Sequence, residues 1–110
     1  MVVYRVEMPD GCGPYYSPLN PRRMSMGIKH FDSSHPTPAD DFGWVKYNRQ
    51  YYFGFDSMQS LYSWFGGWLK SILDHGGKIL KYKVDEYNVQ IGDSGLQLIF
   101  LKDQAQLLTS

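Results

Sequence analysis

Residues 51–84 carry three successive patterns that together specify a strand, a helix and a second strand. Tyr51-Tyr52-Phe53-Gly54-Phe55 is aromatic and bounded by polar residues, which favours a strand. Gly54 within it marks a bulge or a place where something approaches the backbone closely. Asp56 then offers an N-cap, with Gln59 at capping-box spacing, and Met58, Leu61, Phe65, Leu69 and Ile72 recur every three or four positions on one helical face. Gly66-Gly67, flanked by Trp64 and Trp68, interrupts that pattern at a cost of roughly 1 kcal/mol each relative to alanine. The pair implies a kink or another backbone packed against it, with close packing onto the sheet the leading expectation and a hinge or ligand groove the other. Gly76-Gly77 ends the helix, and Leu80, Tyr82 and Val84 then alternate with Lys81 and Lys83 as a half-buried strand.

The rest of the chain adds strands around this unit. Residues 2–7 alternate Val2, Tyr4, Val6 against Val3, Arg5, Glu7, the period of two of a strand with one face buried. Pro9-Asp10-Gly11 ends it as a turn. Residues 11–50 hold five of the six prolines and no sustained apolar period, and read as a long connection with some local order. Thr37-Pro38-Ala39-Asp40 supplies the cap, proline and acid of a short helical turn. After the turn Gly92-Asp93-Ser94-Gly95, residues 96–101 form a further apolar strand, and the polar tail 104–110 ends the fold. The expected architecture is one α+β domain over residues 1–110, with a small mixed or antiparallel sheet of about four to five strands and one main helix, about 57–74, packed on it.

Composition narrows the functional classes. Apolar residues make up 43% and charged residues 20% of 110, a globular balance for a soluble chain that folds alone. Eleven Lys and Arg balance eleven Asp and Glu, so no net field draws the chain to nucleic acid and none makes it a duplex mimic. A local pair such as Arg22-Arg23 is a solvated loop feature before it is a phosphate contact. No apolar run approaches the roughly 20 residues needed to span a bilayer, and the start Met1-Val2-Val3-Tyr4-Arg5 lacks the build of a signal peptide. Together with a lone cysteine, Cys12, this points to the cytoplasm. Nine Tyr, six Phe and three Trp suit either a small core or a recognition surface.

Motifs for chemistry are sparse. His30, His35 and His75 have no metal-ligating spacing, so no metal site is expected, and His75 complements a helix dipole. No GxSxG, Walker or GxGxxG motif occurs. Nothing pairs Cys12 with a histidine as a nucleophile. Asp40-Asp41 and Asp85-Glu86 read as solvated acids.

The order of parts nevertheless resembles a family. Val3-Tyr4-Arg5-Val6-Glu7, then Tyr52-Phe53-Gly54-Phe55-Asp56-Ser57 leading into the helix, then Gly77-Lys78-Ile79-Leu80-Lys81-Tyr82-Lys83-Val84-Asp85 and Leu96-Gln97-Leu98-Ile99-Phe100 look like a reduced ADP-ribosyltransferase-like fold, in which a split sheet grips NAD. The opening also resembles those of small uncharacterised proteins encoded by tailed phages. The resemblance implies that Arg5 binds the dinucleotide, that Ser57 or Tyr52 supports the nicotinamide end, and that Gln97 stands where a catalytic Glu is expected. A neutral amide cannot offset developing positive charge as a carboxylate does. Each residue also has a plainer role: Arg5 paired with Glu7 or a cross-strand acid on an exposed face, Ser57 at a helix start, Gln97 at a strand edge.

These features favour a phage-type binding or inhibitor protein that engages a host protein or a nucleotide, with anti-defence activity, including inhibition of a CRISPR complex, in that class. Such a protein requires no cofactor. The alternative is a mono-ADP-ribosyltransferase that takes NAD, with Arg5, Ser57 or Tyr52, and an acid such as Asp93 or Glu86. A structural virion protein is disfavoured, since nothing in the sequence suggests extended self-assembly.

Overall fold

The protein is described here by a computed structural model, which describes residues 1–15, 17–29, 42 and 51–108. Its elements in chain order are β1 (Val2–Glu7), α1 (Arg23–Lys29), β2 (Tyr51–Gly54), α2 (Met58–Phe65), α3 (Trp68–Asp74), β3 (Lys78–Lys83), β4 (Val89–Ile91), β5 (Leu98–Leu101) and β6 (Gln106–Leu108). Single 3₁₀ turns at Glu86–Asn88 and Lys102–Gln104 lead into β4 and β6. The turn expected at Thr37-Pro38-Ala39-Asp40 lies outside the described residues.

The α+β class holds, but the single sheet of four to five strands does not. Two three-stranded antiparallel sheets form instead, in the orders β1-β3-β6 and β2-β5-β4. They meet at one antiparallel bridge, where Tyr4 and Phe55 exchange two backbone hydrogen bonds of 2.8 Å. Two physical causes separate them. Next to the bridge the Arg5 guanidinium donates to the Phe53 carbonyl at 2.9 Å, so a side chain occupies the junction there. The second sheet also turns its apolar side onto the first, so that Val3, Tyr82 and Val84 pack with Leu98 and Phe100.

The close approach of β1 to β2 depends on Gly54. A Cβ there would lie 2.5 Å from Val3 Cγ1 and 3.0 Å from the Tyr4 carbonyl oxygen. Of the two roles open to Gly54, the backbone approach is the one found.

The expected single helix over about 57–74 is two helices. Gly66 has φ +53°, in the region that disfavours side chains, and its amide donates to the Tyr62 carbonyl as α2 stops. Nothing lies within 4 Å of where a Cβ on Gly66 or Gly67 would project. The pair therefore serves a break in direction, not close packing onto the sheet. The cap also moves by one residue: Ser57 is extended and its hydroxyl accepts from the Ser60 amide at 3.1 Å, whereas Asp56 accepts from the Ser60 hydroxyl at 3.3 Å.

The helices bury the face the spacing indicated. Leu61, Phe65, Leu69 and Ile72, joined by Trp64, pack on Val6, Met8 and Phe55. Phe55 sits edge-on to Phe65, with ring centroids 5.8 Å apart. Met26 of α1 is fully buried in the same cluster. The connection before α1 is held by buried polar groups. Asn20 Nδ2 donates to the Pro14 carbonyl at 2.7 Å, its Oδ1 accepts from the Arg22 amide at 3.1 Å, and the Ser17 hydroxyl donates to Asp10 at 2.7 Å.

Candidate functional site

β1 has no exposed face at its centre. Val3, Arg5 and Glu7 lie on one side of the pleat and Val6 on the other, and all four are buried. From Arg5 to Glu7 the strand is covered by helices on one side and by the second sheet on the other, so the Arg5–Glu7 pair expected on an exposed face is instead enclosed, each residue 5% accessible.

Enclosure makes the pairing between these residues consequential, because buried charge must be compensated. Arg5 Nε lies 3.3 Å from Glu7 Oε1 without the alignment of a hydrogen bond. Glu7 is also held by Lys102 Nζ on the same oxygen, at 2.5 Å, and accepts from the Tyr82 hydroxyl on the other at 2.7 Å. Tyr52 supplies a ring under both cations, with the Arg5 guanidinium carbon 4.8 Å and Lys102 Nζ 4.9 Å from its centroid.

The network ties the two sheets. Arg5, Glu7 and Tyr82 come from the first, and Tyr52 and Lys102 from the second or the turn that follows it. Burial alone would push the Glu7 carboxyl up, but hydrogen bonds from Lys102 and Tyr82 and the positive charges of Arg5 and Lys102 outweigh it and hold the group below its ordinary value. Burial first, and then the bond to Glu7, push the Tyr82 phenol up and keep it a donor. Two cations and one carboxylate leave the cluster with one positive charge in excess, and Lys102 is its accessible member, with 28% of its side chain exposed.

The residues singled out by the resemblance fall in different places. Arg5 and Tyr52 are together in this network. Ser57 caps α2, where its hydroxyl bonds the Ser60 amide and hydroxyl. Gln97 is buried in the turn before β5 and lines a shallow cleft with Asp56, Ile91, Gly95, Leu96 and Leu98. That cleft is shallow and open to solvent, too small to enclose a small molecule. Asp93 and Glu86 are exposed.

Comparison with known proteins decides the lineage. The family model described as bacteriophage T4 Y00F protein matches residues 1–110. The chain belongs to the bacteriophage T4 Y00F family. No curated protein and no solved structure gives a significant match. Membership in the Y00F family bears out the reading of a small phage protein.

In this Y00F-family chain sequence reasoning missed Tyr82 and Lys102 as partners of Glu7. Arg5 and Glu7 stand two apart on one face of a strand, a signal that they are neighbours. Nothing local marks Lys102, which is 95 positions from Glu7. Among the described residues no group of three or more His, Cys, Asp or Glu is placed to hold a metal, and no helix is long and apolar enough to cross a membrane.

Proposed function

We propose that this chain is a non-enzymatic phage protein that binds a host protein and thereby blocks a host process, an anti-defence role such as inhibition of a CRISPR complex being the leading case. The observation that carries this reading is the state of Arg5. The residue that would grip a dinucleotide is 5% accessible, faces Tyr52, donates to the Phe53 carbonyl and lies against Glu7. Its charge and hydrogen-bonding capacity serve the junction of the two sheets. Phage membership supports a host target, and exposed Met24, Tyr62 and Tyr87 give the surface the side chains that interfaces favour.

A nucleotide target belongs to the same class, with Lys102 as the reachable cation. One observation favours the mono-ADP-ribosyltransferase instead: Arg5 and Tyr52 adjoin at the split between two sheets, as that fold would have them. Immobilised protein incubated with lysate of the bacterial host separates the readings. Binding predicts a host protein that co-elutes in size-exclusion chromatography and no transfer of label from NAD. Label transfer that is lost in Arg5→Ala, without a stable complex, overturns it.

A further inference from the structure

Directly opposed residues of an antiparallel pair share a face, and the register of the first sheet therefore defines one beyond the helices. Val2 lies beside Lys83, Tyr4 beside Lys81 and Val6 beside Ile79, while across β3 Lys81 adjoins Leu108 and Lys83 adjoins Gln106. The helices cover the end of this face that holds Val6, Ile79 and Phe55. At the other end Val2 is 40% exposed, Lys81, Lys83 and Gln106 are exposed and Leu108 is half-buried.

Two cations on that open half have no ion-pair partner among the described residues. Among the described residues the ion pairs engage Arg5, Lys70 and Lys102, and neither Lys81 nor Lys83. Lys81 Nζ instead rests 5.9 Å from the centroid of the Tyr4 ring, which fixes it on the face. In a chain of zero net charge this is a local excess of positive charge framed by apolar Val2 and Leu108, a surface whose complement is acidic with apolar neighbours.

We infer that the half of the first sheet left open by the described helices, around Lys81 and Lys83 with Tyr4 at its border with the helix cluster, docks an acidic patch on the host protein; the inference rests on the host-protein reading above. A single strand of nucleic acid fits less well. Such ligands stack successive bases on exposed rings, and here the ring of Tyr4 is half-buried and faces Lys81.

The test is capture from host lysate by the wild-type chain and by Lys81→Glu/Lys83→Glu, with Lys70→Glu as a charge control on α3, followed by carbodiimide coupling of amines to carboxylates and peptide mapping. Equal melting temperatures establish that the variants fold. The expected result is a captured protein cross-linked from Lys81 or Lys83 to its Asp or Glu side chains, with capture about tenfold or more weaker in the double variant and unchanged in Lys70→Glu. Capture that survives the double variant, with cross-links elsewhere, overturns this surface and leaves the host-protein reading standing. Capture abolished by nuclease treatment overturns it in favour of nucleic acid. Failure to capture any host protein removes the host-protein reading and this surface together.

Discussion

Tyr82 donates a 2.7 Å hydrogen bond to Glu7 from a position 75 residues away, on the strand that pairs with β1. The contact closes one side of a carboxylate whose other oxygen is held by Lys102 from beyond the second sheet. Among the described residues Glu7 is thus the one anion at a junction that also contains Arg5, and the consequences of removing it are specific.

Glu7→Gln preserves size and an oxygen for Tyr82 but leaves Arg5 without its counter-charge in a site 5% accessible. Loss of one partner from a buried ion pair costs about 3 kcal/mol. Urea denaturation should show that loss as a lower midpoint with an unchanged slope. A midpoint equal to wild type would mean that the network contributes no net stability.

The same carboxylate sets an acid limb. In the unfolded chain it titrates near 4.5, and in the folded chain lower, so between the two values the unfolded state binds more protons and stability rises with pH. Its contribution is complete above 4.5 and is lost as pH falls through the folded value. Asp10, held below its ordinary 3.8 by the Ser17 hydroxyl and then the Cys12 amide, adds to the same limb from an exposed position. Melting temperature against pH should therefore fall less steeply below 4.5 in Glu7→Gln than in wild type, and flatten further when Asp10→Asn is added.

Two glycines should respond oppositely to alanine. Gly54→Ala puts a methyl group 2.5 Å from Val3 Cγ1 and 3.0 Å from backbone, and overpacking of this kind costs about 2 kcal/mol. Gly67 has φ −66° and open space around it, so Gly67→Ala should stabilise by about 0.5 kcal/mol through the unfolded chain. Chemical denaturation of both variants checks the contrast.

Ser57→Ala removes the cap of α2 and should cost about 1 kcal/mol. Host-protein capture by the folded variant should equal that of wild type, because the Ser57 hydroxyl bonds Ser60. Capture that disappears at unchanged stability would give Ser57 a direct part in binding.

Much of the local order was legible in the sequence. The 2–7 alternation marked β1, the three-and-four spacing marked the buried faces of α2 and α3, and the residues Leu80, Tyr82 and Val84 marked the inner side of β3 and its continuation. Three elements were not. The helix α1 was hidden in a proline-rich connection, although Asn20-Pro21 just before it is a turn signal, and the Asn20 side chain accepts from the Arg22 amide. β4 and β6 are three residues each, too short to show a period, and both are recognisable through the strands they pair with. The candidate site was half legible: Arg5 and Glu7 are neighbours on one strand, while Tyr82 and Lys102 join them through pairing and packing over long separations.

By itself the sequence determined which segments are strands and helices wherever a run was long enough to repeat, because period and capping act within a few residues. Only the tertiary structure decided that the strands divide into two sheets, and that the division falls beside Arg5. That choice depends on Gly54 admitting Val3 and on the Phe53 carbonyl accepting from a side chain, contacts between segments about fifty residues apart that no local pattern encodes. Its consequence is that an arginine and a glutamate of ordinary strand alternation become a buried, compensated junction.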